Sequence, residues 1–301
     1  MAASSPHLSQ LVNPLVSVDQ LASSGSQLDG VPSDLESSCI YAGAQLMQIA
    51  GILLRLPQDI IAQAIVIFSR FWIGSDGGSL REFGVKDVSL ASIYLMVKLS
   101  AYPKAPRSVI NVFGYLDSFH STLGDLKGHV DTNNPESYYV SEGTYVAQRA
   151  QLTKMETIIL KVLGFQTHVA LPYNICINYL QALDVFVDHE TASHLAKRAF
   201  AHLNSALLSP QLLYLTHQPP ALATAAIYLS AKETGVKLPD AEWWEVFDTD
   251  REELGFLVVA MISMEDFVKE ENVKWENRKA PSTLIEMENE LERKATANGH
   301  H

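Results

Sequence analysis

Cysteine is scarce in this sequence: Cys39 and Cys176 are the whole complement in 301 residues. Two thiols cannot build a disulfide framework, and they suit a reducing compartment, cytosol or nucleus. Basic residues are the scarcer charge, with 22 Lys and Arg against 34 Asp and Glu and a formal net charge of −12. That balance argues against nucleic acid as a direct ligand, because phosphate binding needs clustered Lys and Arg. Long apolar runs are missing as well. The most apolar stretch, Ile40 to Leu54, is interrupted by Gln45 and Gln48, and it falls short of the ~20 residues that span a bilayer. No basic region followed by an apolar run opens the chain, so no secretory signal is expected.

Motifs of catalysis and metal binding are equally thin. No Cys-x-x-Cys or Gly-x-Ser-x-Gly occurs, which leaves zinc clips and serine elbows unsupported. His189-Glu190 is followed by His194, five residues after the first histidine. A zinc-protease helix needs four, so that both rings face one metal. Gly74, Gly77 and Gly78 follow no strand and read as a surface loop rather than a phosphate cradle. No metal, cofactor or catalytic residue is expected from the sequence.

What the chain has is helix. Val88 to Lys98 is apolar or small for ten residues and ends in one charge. With no wide polar face, a helix here is buried nearly all round, and Asp87 is in place to cap it. The same writing returns later, Ala91-Ser-Ile-Tyr-Leu-Met-Val-Lys98 against Ala225-Ala-Ile-Tyr-Leu-Ser-Ala-Lys232. The two tyrosines, Tyr94 and Tyr228, are 228 − 94 = 134 residues apart. A central buried helix written twice implies two similar helical halves.

Helical patterns fill in around it. Residues 1–36 are rich in Ser, Pro, Gly and Gln and read as an extended arm. The first half, residues 37–168, has helices from Ser37 to Leu54, Gln58 to Trp72, 87–98, Arg107 to His120 and Ser141 to Leu163. A long polar loop covers 121–140. The second half, residues 169–270, has candidates at Tyr173–Leu183, Thr191–Leu208, Ala221–Thr234, Trp243–Phe247 and Arg251–Glu270. Residues 271–301 are charged and read as a solvated tail, although Ser282 to Lys294 has the pattern of an amphipathic helix. Five plus five helices without β-alternation define an all-α duplicate.

Two charges stand against apolar faces. Lys98 ends the central helix beside Leu99, and Glu156 interrupts Lys154-Met-Glu-Thr-Ile-Ile-Leu-Lys-Val-Leu-Gly-Phe165. By themselves, a terminal lysine merely suits the helix dipole and a helical glutamate is usually solvated.

The double five-helix plan, with the words around Lys98 and Glu156, resembles the cyclins. Met47-Gln-Ile-Ala-Gly-Ile-Leu-Leu-Arg-Leu-Pro-Gln58, Pro106-Arg-Ser-Val-Ile-Asn-Val-Phe113 and the leader Asn13-Pro-Leu-Val with Gln27-Leu-Asp-Gly30 resemble the L-type transcription cyclins. The resemblance spans roughly residues 13 to 270. It implies two tandem cyclin boxes and a non-catalytic, nuclear regulatory subunit of a cyclin-dependent kinase in transcription and pre-mRNA splicing. Alternatives are a K-, T- or Q-type cyclin, or a general transcription scaffold with paired cyclin-fold repeats. The resemblance also implies that Lys98 and Glu156 face the kinase αC helix, with Leu99, Leu160 and Phe165 as apolar contacts. The arm 8–36 is expected to fold back on the second box or to touch the kinase. The sequence departs from the family in two places. Leu99-Ser-Ala-Tyr-Pro follows Lys98 where cyclins commonly have two acids, and Ser69 stands where cell-cycle cyclins have a buried aspartate.

Overall fold

The computed structural model of the protein describes residues 12–117, 139–185, 189–276 and 278–298. Most of the expected loop 121–140 and the start of the arm lie outside the described residues. Among those described, all regular structure is helical and no strand occurs. In chain order the helices are α1 (Val18–Ala22), α2 (Gly25–Leu28), α3 (Ser33–Leu53), α4 (Gln58–Phe71), α5 (Val85–Leu99), α6 (Pro106–Asp117) and α7 (Glu142–Val162). Then follow α8 (Tyr173–Ala182), α9 (His189–Ala206), α10 (Leu213–Thr216), α11 (Pro219–Thr234), a 3-10 turn (Trp243–Phe247), α12 (Arg251–Lys274) and α13 (Leu284–Asn298). They form two compact units. One comprises Val18–Thr167 with Glu270–His301, the other Met1–Ser17 with His168–Lys269.

In the first-repeat unit α5 is the hub, packed against α3, α4, α6 and α7. Val88, Ala91, Ile93 and Val97 are fully buried, as an apolar helix without a polar face requires. Two bare glycines let its neighbours close in. A Cβ on Gly43 of α3 would stand 2.5 Å from Val85 and 2.6 Å from Phe68, and one on Gly51 would stand 2.5 Å from Ile61. Asp87 does not cap α5. The helix starts earlier, with Gly84 at the N-cap position, because Val85 and Val88 are both buried and draw one more turn into the core. Asp87 then lies in the first turn, where its charge still suits the dipole, and its carboxylate accepts from the Gln151 side chain at 3.0 Å.

The second-repeat unit repeats the plan around α11, against which α8, α9, α10 and the 3-10 turn pack. Ala223, Ala225, Ala226 and Ile227 are fully buried. Trp243–Phe247, expected as an α-helix, is a tight 3-10 turn. It buries Trp243 and stacks Phe247 flat on Tyr179, 3.8 Å between ring centres.

The segments expected to be loose are tied down. Asn13 is buried in the second-repeat unit. Its side chain both donates to and accepts from the Ala170 backbone at 2.8 Å, its amide donates to the Gln218 side chain, and its carbonyl accepts from it. The Val16 amide donates to the Leu215 carbonyl at 2.9 Å. Farther along, Ser24 caps α2 through the Gln27 amide, and its hydroxyl donates to Glu36 at 2.6 Å. That makes the later arm short helix rather than extended chain.

The solvated tail is likewise replaced by structure. Residues 282–286 form a capping box in which the Glu286 carboxylate accepts from the Ser282 and Thr283 amides, and the Thr283 hydroxyl from the Glu286 amide. This starts α13, which buries Met287 and Glu290. Charge misleads here because the charges are partnered. Arg278 and Arg293 hold Glu290 at 2.5 and 3.0 Å, and Lys294 holds Asp34 at 2.7 Å. Upstream, Glu271 accepts from Ser38 at 2.8 Å and from the Trp275 indole at 3.0 Å.

Candidate protein-docking site

The end of α5 and the middle of α7 meet in the first-repeat unit. On α7, Met155 and Ile159 are buried. Glu156 shares their face, so its side chain is also taken from solvent and only 10% exposed. A buried carboxylate is costly without a partner. Lys98, in the last turn of α5, supplies one, pairing its Nζ with Glu156 Oε1. Ser100 ends α5, its hydroxyl donating to the Val97 carbonyl and accepting from the Tyr102 amide.

The pair is asymmetric. The Lys98 side chain remains 48% exposed, and Nζ lies 5.7 Å from the Tyr94 ring centre. An ammonium has three donors, so Lys98 keeps hydrogen-bonding capacity directed outward while Glu156 anchors it. Neither bland expectation for these residues describes the outcome: the glutamate is not solvated, and the lysine does more than complement the dipole.

Apolar surface surrounds the charge. Leu99 is 58% exposed and Phe165 69%, while Leu160, one turn beyond Glu156, is half-buried. Phe165 is placed by the way α7 stops. The Gly164 amide donates to the Lys161 carbonyl and the Phe165 amide to the Leu160 carbonyl at 2.8 Å, the paired bonds of a Schellman ending. Gly164 and Phe165 both adopt left-handed backbone, φ +55° and +63°. For phenylalanine that conformation costs on the order of 1–2 kcal/mol, and here it holds the ring in solvent. The structure thus joins Lys98 to Glu156 by an ion pair and Phe165 to Leu160 through the backbone, with Leu99 next to Lys98 in the chain. Sequence reading missed Tyr102 and Val162, which are 54% and 37% exposed. Their signal is position alone: apolar residues just past the end of α5 and in the last turn of α7.

A charged tip in an apolar surround recognises another macromolecule rather than transforming a small one. Among the described residues, no cluster of His, Cys, Asp and Glu could hold a metal ion, and no helix is long and apolar enough to cross a membrane. Both thiols are fully buried. Burial pushes the Cys176 thiol up to about 12 and Cys39 higher still, so neither is a nucleophile at neutral pH.

No protein-family model matches the chain. Among solved structures, a chain of the yeast RNA polymerase II CTD kinase CTDK-1 complex superposes with a TM-score of 0.65 at 14% identity. The match covers 95% of this chain and 84% of that one. A viral cyclin from herpesvirus saimiri gives 0.51 at 15% identity, over 80% and 87% of the two chains. These likenesses rest on the fold, an all-α double repeat of the cyclin type. Sequence relatives agree: the chain belongs to the cyclin family. It is similar to the L-type members, 33% identical to mouse Cyclin-L2 over 245 residues, which is 81% of this chain and 43% of the relative. Human Cyclin-L1 is 30% identical over 284 residues, 94% and 48% of the two chains. The chain therefore spans somewhat less than half the length of the curated relatives it matches.

Proposed function

We propose that this chain is a non-catalytic regulatory subunit that binds a cyclin-dependent protein kinase on the first repeat, residues 37–168, and activates it. The observation that carries this reading is the Lys98–Glu156 pair, buried on one side and open on the other, set among the exposed Leu99 and Phe165. Lys98 can donate to backbone carbonyls at the end of a partner helix while Leu99, Leu160 and Phe165 receive its side chains. In the family that partner helix is the kinase αC. Holding it inward pairs its glutamate with the β3 lysine and aligns the ATP phosphates. The subunit then works by binding the active arrangement better, which shifts the kinase population. The L-type relatives and the CTD-kinase neighbour favour a nuclear role in transcription and pre-mRNA splicing.

The test uses the pair's own geometry. Lys98→Glu with Glu156→Lys keeps an internal ion pair and the fold, and presents the opposite charge outward. Kinase capture in a pull-down is expected to fall by roughly tenfold or more, on the scale of a lost interface anchor, with an unchanged unfolding profile. Undiminished capture by the folded variant rejects the site.

A further inference from the structure

The second-repeat unit carries an apolar surface that its own core does not use. Helix α12 buries Leu254, Leu257, Ala260, Met261 and Met264 on its inner face, and that set alone satisfies a surface helix. Yet its outer face is apolar too. Phe256, Val259 and Ile262 are 52%, 67% and 53% exposed. A helix that is apolar on both sides is ordinarily covered on both sides. Nothing among the described residues covers this one.

The surroundings say what fits. Glu252, Phe256, Val259 and Asp266 recur at i, i+4, i+7 and i+14, so acids close both ends of the apolar stripe. Around it stand Asp250, Glu252, Glu253, Glu265 and Asp266 against only Arg251 and Lys269, and Lys269 is already shared by Glu265 and Asp266. Burial together with the Asp250 charge raises the Glu253 carboxyl above its usual range, a sign of negative field without local compensation. Acids in the first turn also complement the helix dipole, but that does not account for Glu265 and Asp266 at the far end. Gly255 lies beside the stripe, and a Cβ built there would meet nothing within 4 Å. A partner backbone can approach closely at that point.

We propose that the outer face of α12 is a docking surface for an amphipathic helix whose apolar stripe is flanked by Lys and Arg. The apolar strip provides the contact area, and the acidic ends fix orientation and exclude anionic partners. The surface is independent of the Lys98–Glu156 site, and its occupancy does not require that site.

The probe is a Leu/Lys amphipathic peptide of about 18 residues, roughly five helical turns, titrated by fluorescence anisotropy into the full chain. Its Leu/Glu counterpart and a Gly/Lys peptide of equal charge are the controls. Saturable binding of Leu/Lys alone is expected. Val259→Ser with Ile262→Ser should weaken it by roughly tenfold, and Glu252→Lys with Asp266→Lys by a similar factor with a flatter salt dependence. Lys98→Glu should leave it unchanged. Equal binding of the Gly/Lys peptide, no binding of Leu/Lys, or indifference to both paired variants overturns the proposal. So does concentration-dependent self-association of the chain that Val259→Ser with Ile262→Ser abolishes, since a second copy would then be the occupant.

Discussion

The two compact units hold segments from far along the chain by different chemistry. The second-repeat unit takes Asn13 through neutral amides, four hydrogen bonds shared with Ala170 and Gln218. The first-repeat unit takes the segment after Glu270 largely through charge: Lys294 and Lys274 on Asp34, Arg278 and Arg293 on Glu290. Neutral amide pairs ignore pH and are little screened, whereas partly exposed ion pairs respond to both. Two repeats built on one plan therefore differ in what disturbs them.

The largest expected effects test what the units share. Ile93→Ala in α5 and Ile227→Ala in α11 each empty a fully buried hub position and should each cost ~2–5 kcal/mol in denaturant unfolding. A trivial loss in either would break the equivalence of the two hubs. Smaller, and specific to one unit, is Asn13→Ala. It strips partners from buried backbone groups of Ala170 and should cost ~1–3 kcal/mol, by the same amount at low and high salt. A strong salt dependence would contradict the neutral seam.

The subtlest effect belongs to the ionic seam. The Lys294 hydrogen bond holds the Asp34 carboxyl below its ordinary value of 3.8, with the Lys294 and Lys274 charges adding to it against the opposing effect of burial. A group lowered on folding stabilises above its unfolded pKa, and the contribution is lost as pH falls through the folded value. Amide-exchange protection of residues 284–298 should thus decline between about pH 4 and pH 2, while protection of Val16 holds over the same range. Asp34→Asn should flatten the decline.

Much of this arrangement was legible in the chain. The hub helices announce themselves because no polar face interrupts 88–97 or its echo at 225–231, and Lys98 and Glu156 stand out against apolar neighbours. That the two charges belong to each other was not legible, since 58 residues separate them and pairing depends on how α5 and α7 cross. The docking of α13 was hidden for a related reason. Glu290, Arg278 and Arg293 each read as solvated until their partners are known, although Thr283-Leu-Ile-Glu286 spells a capping box. The outer face of α12 went unremarked because its inner periodicity was already satisfied, and a second apolar stripe adds nothing to a helix assignment.

The long reach of these contacts bears on birth as well as on the finished molecule. Ser38 waits for Glu271, 233 positions downstream, while Asn13 needs only Ala170 and its neighbours, 157 positions away. During vectorial synthesis the carboxyl-side repeat has all its parts once Lys269 has left the ribosome. The amino-side repeat, although made first, stays unfinished until α13 emerges. The half that offers Lys98 and Phe165 to a partner is thus the last to be completed.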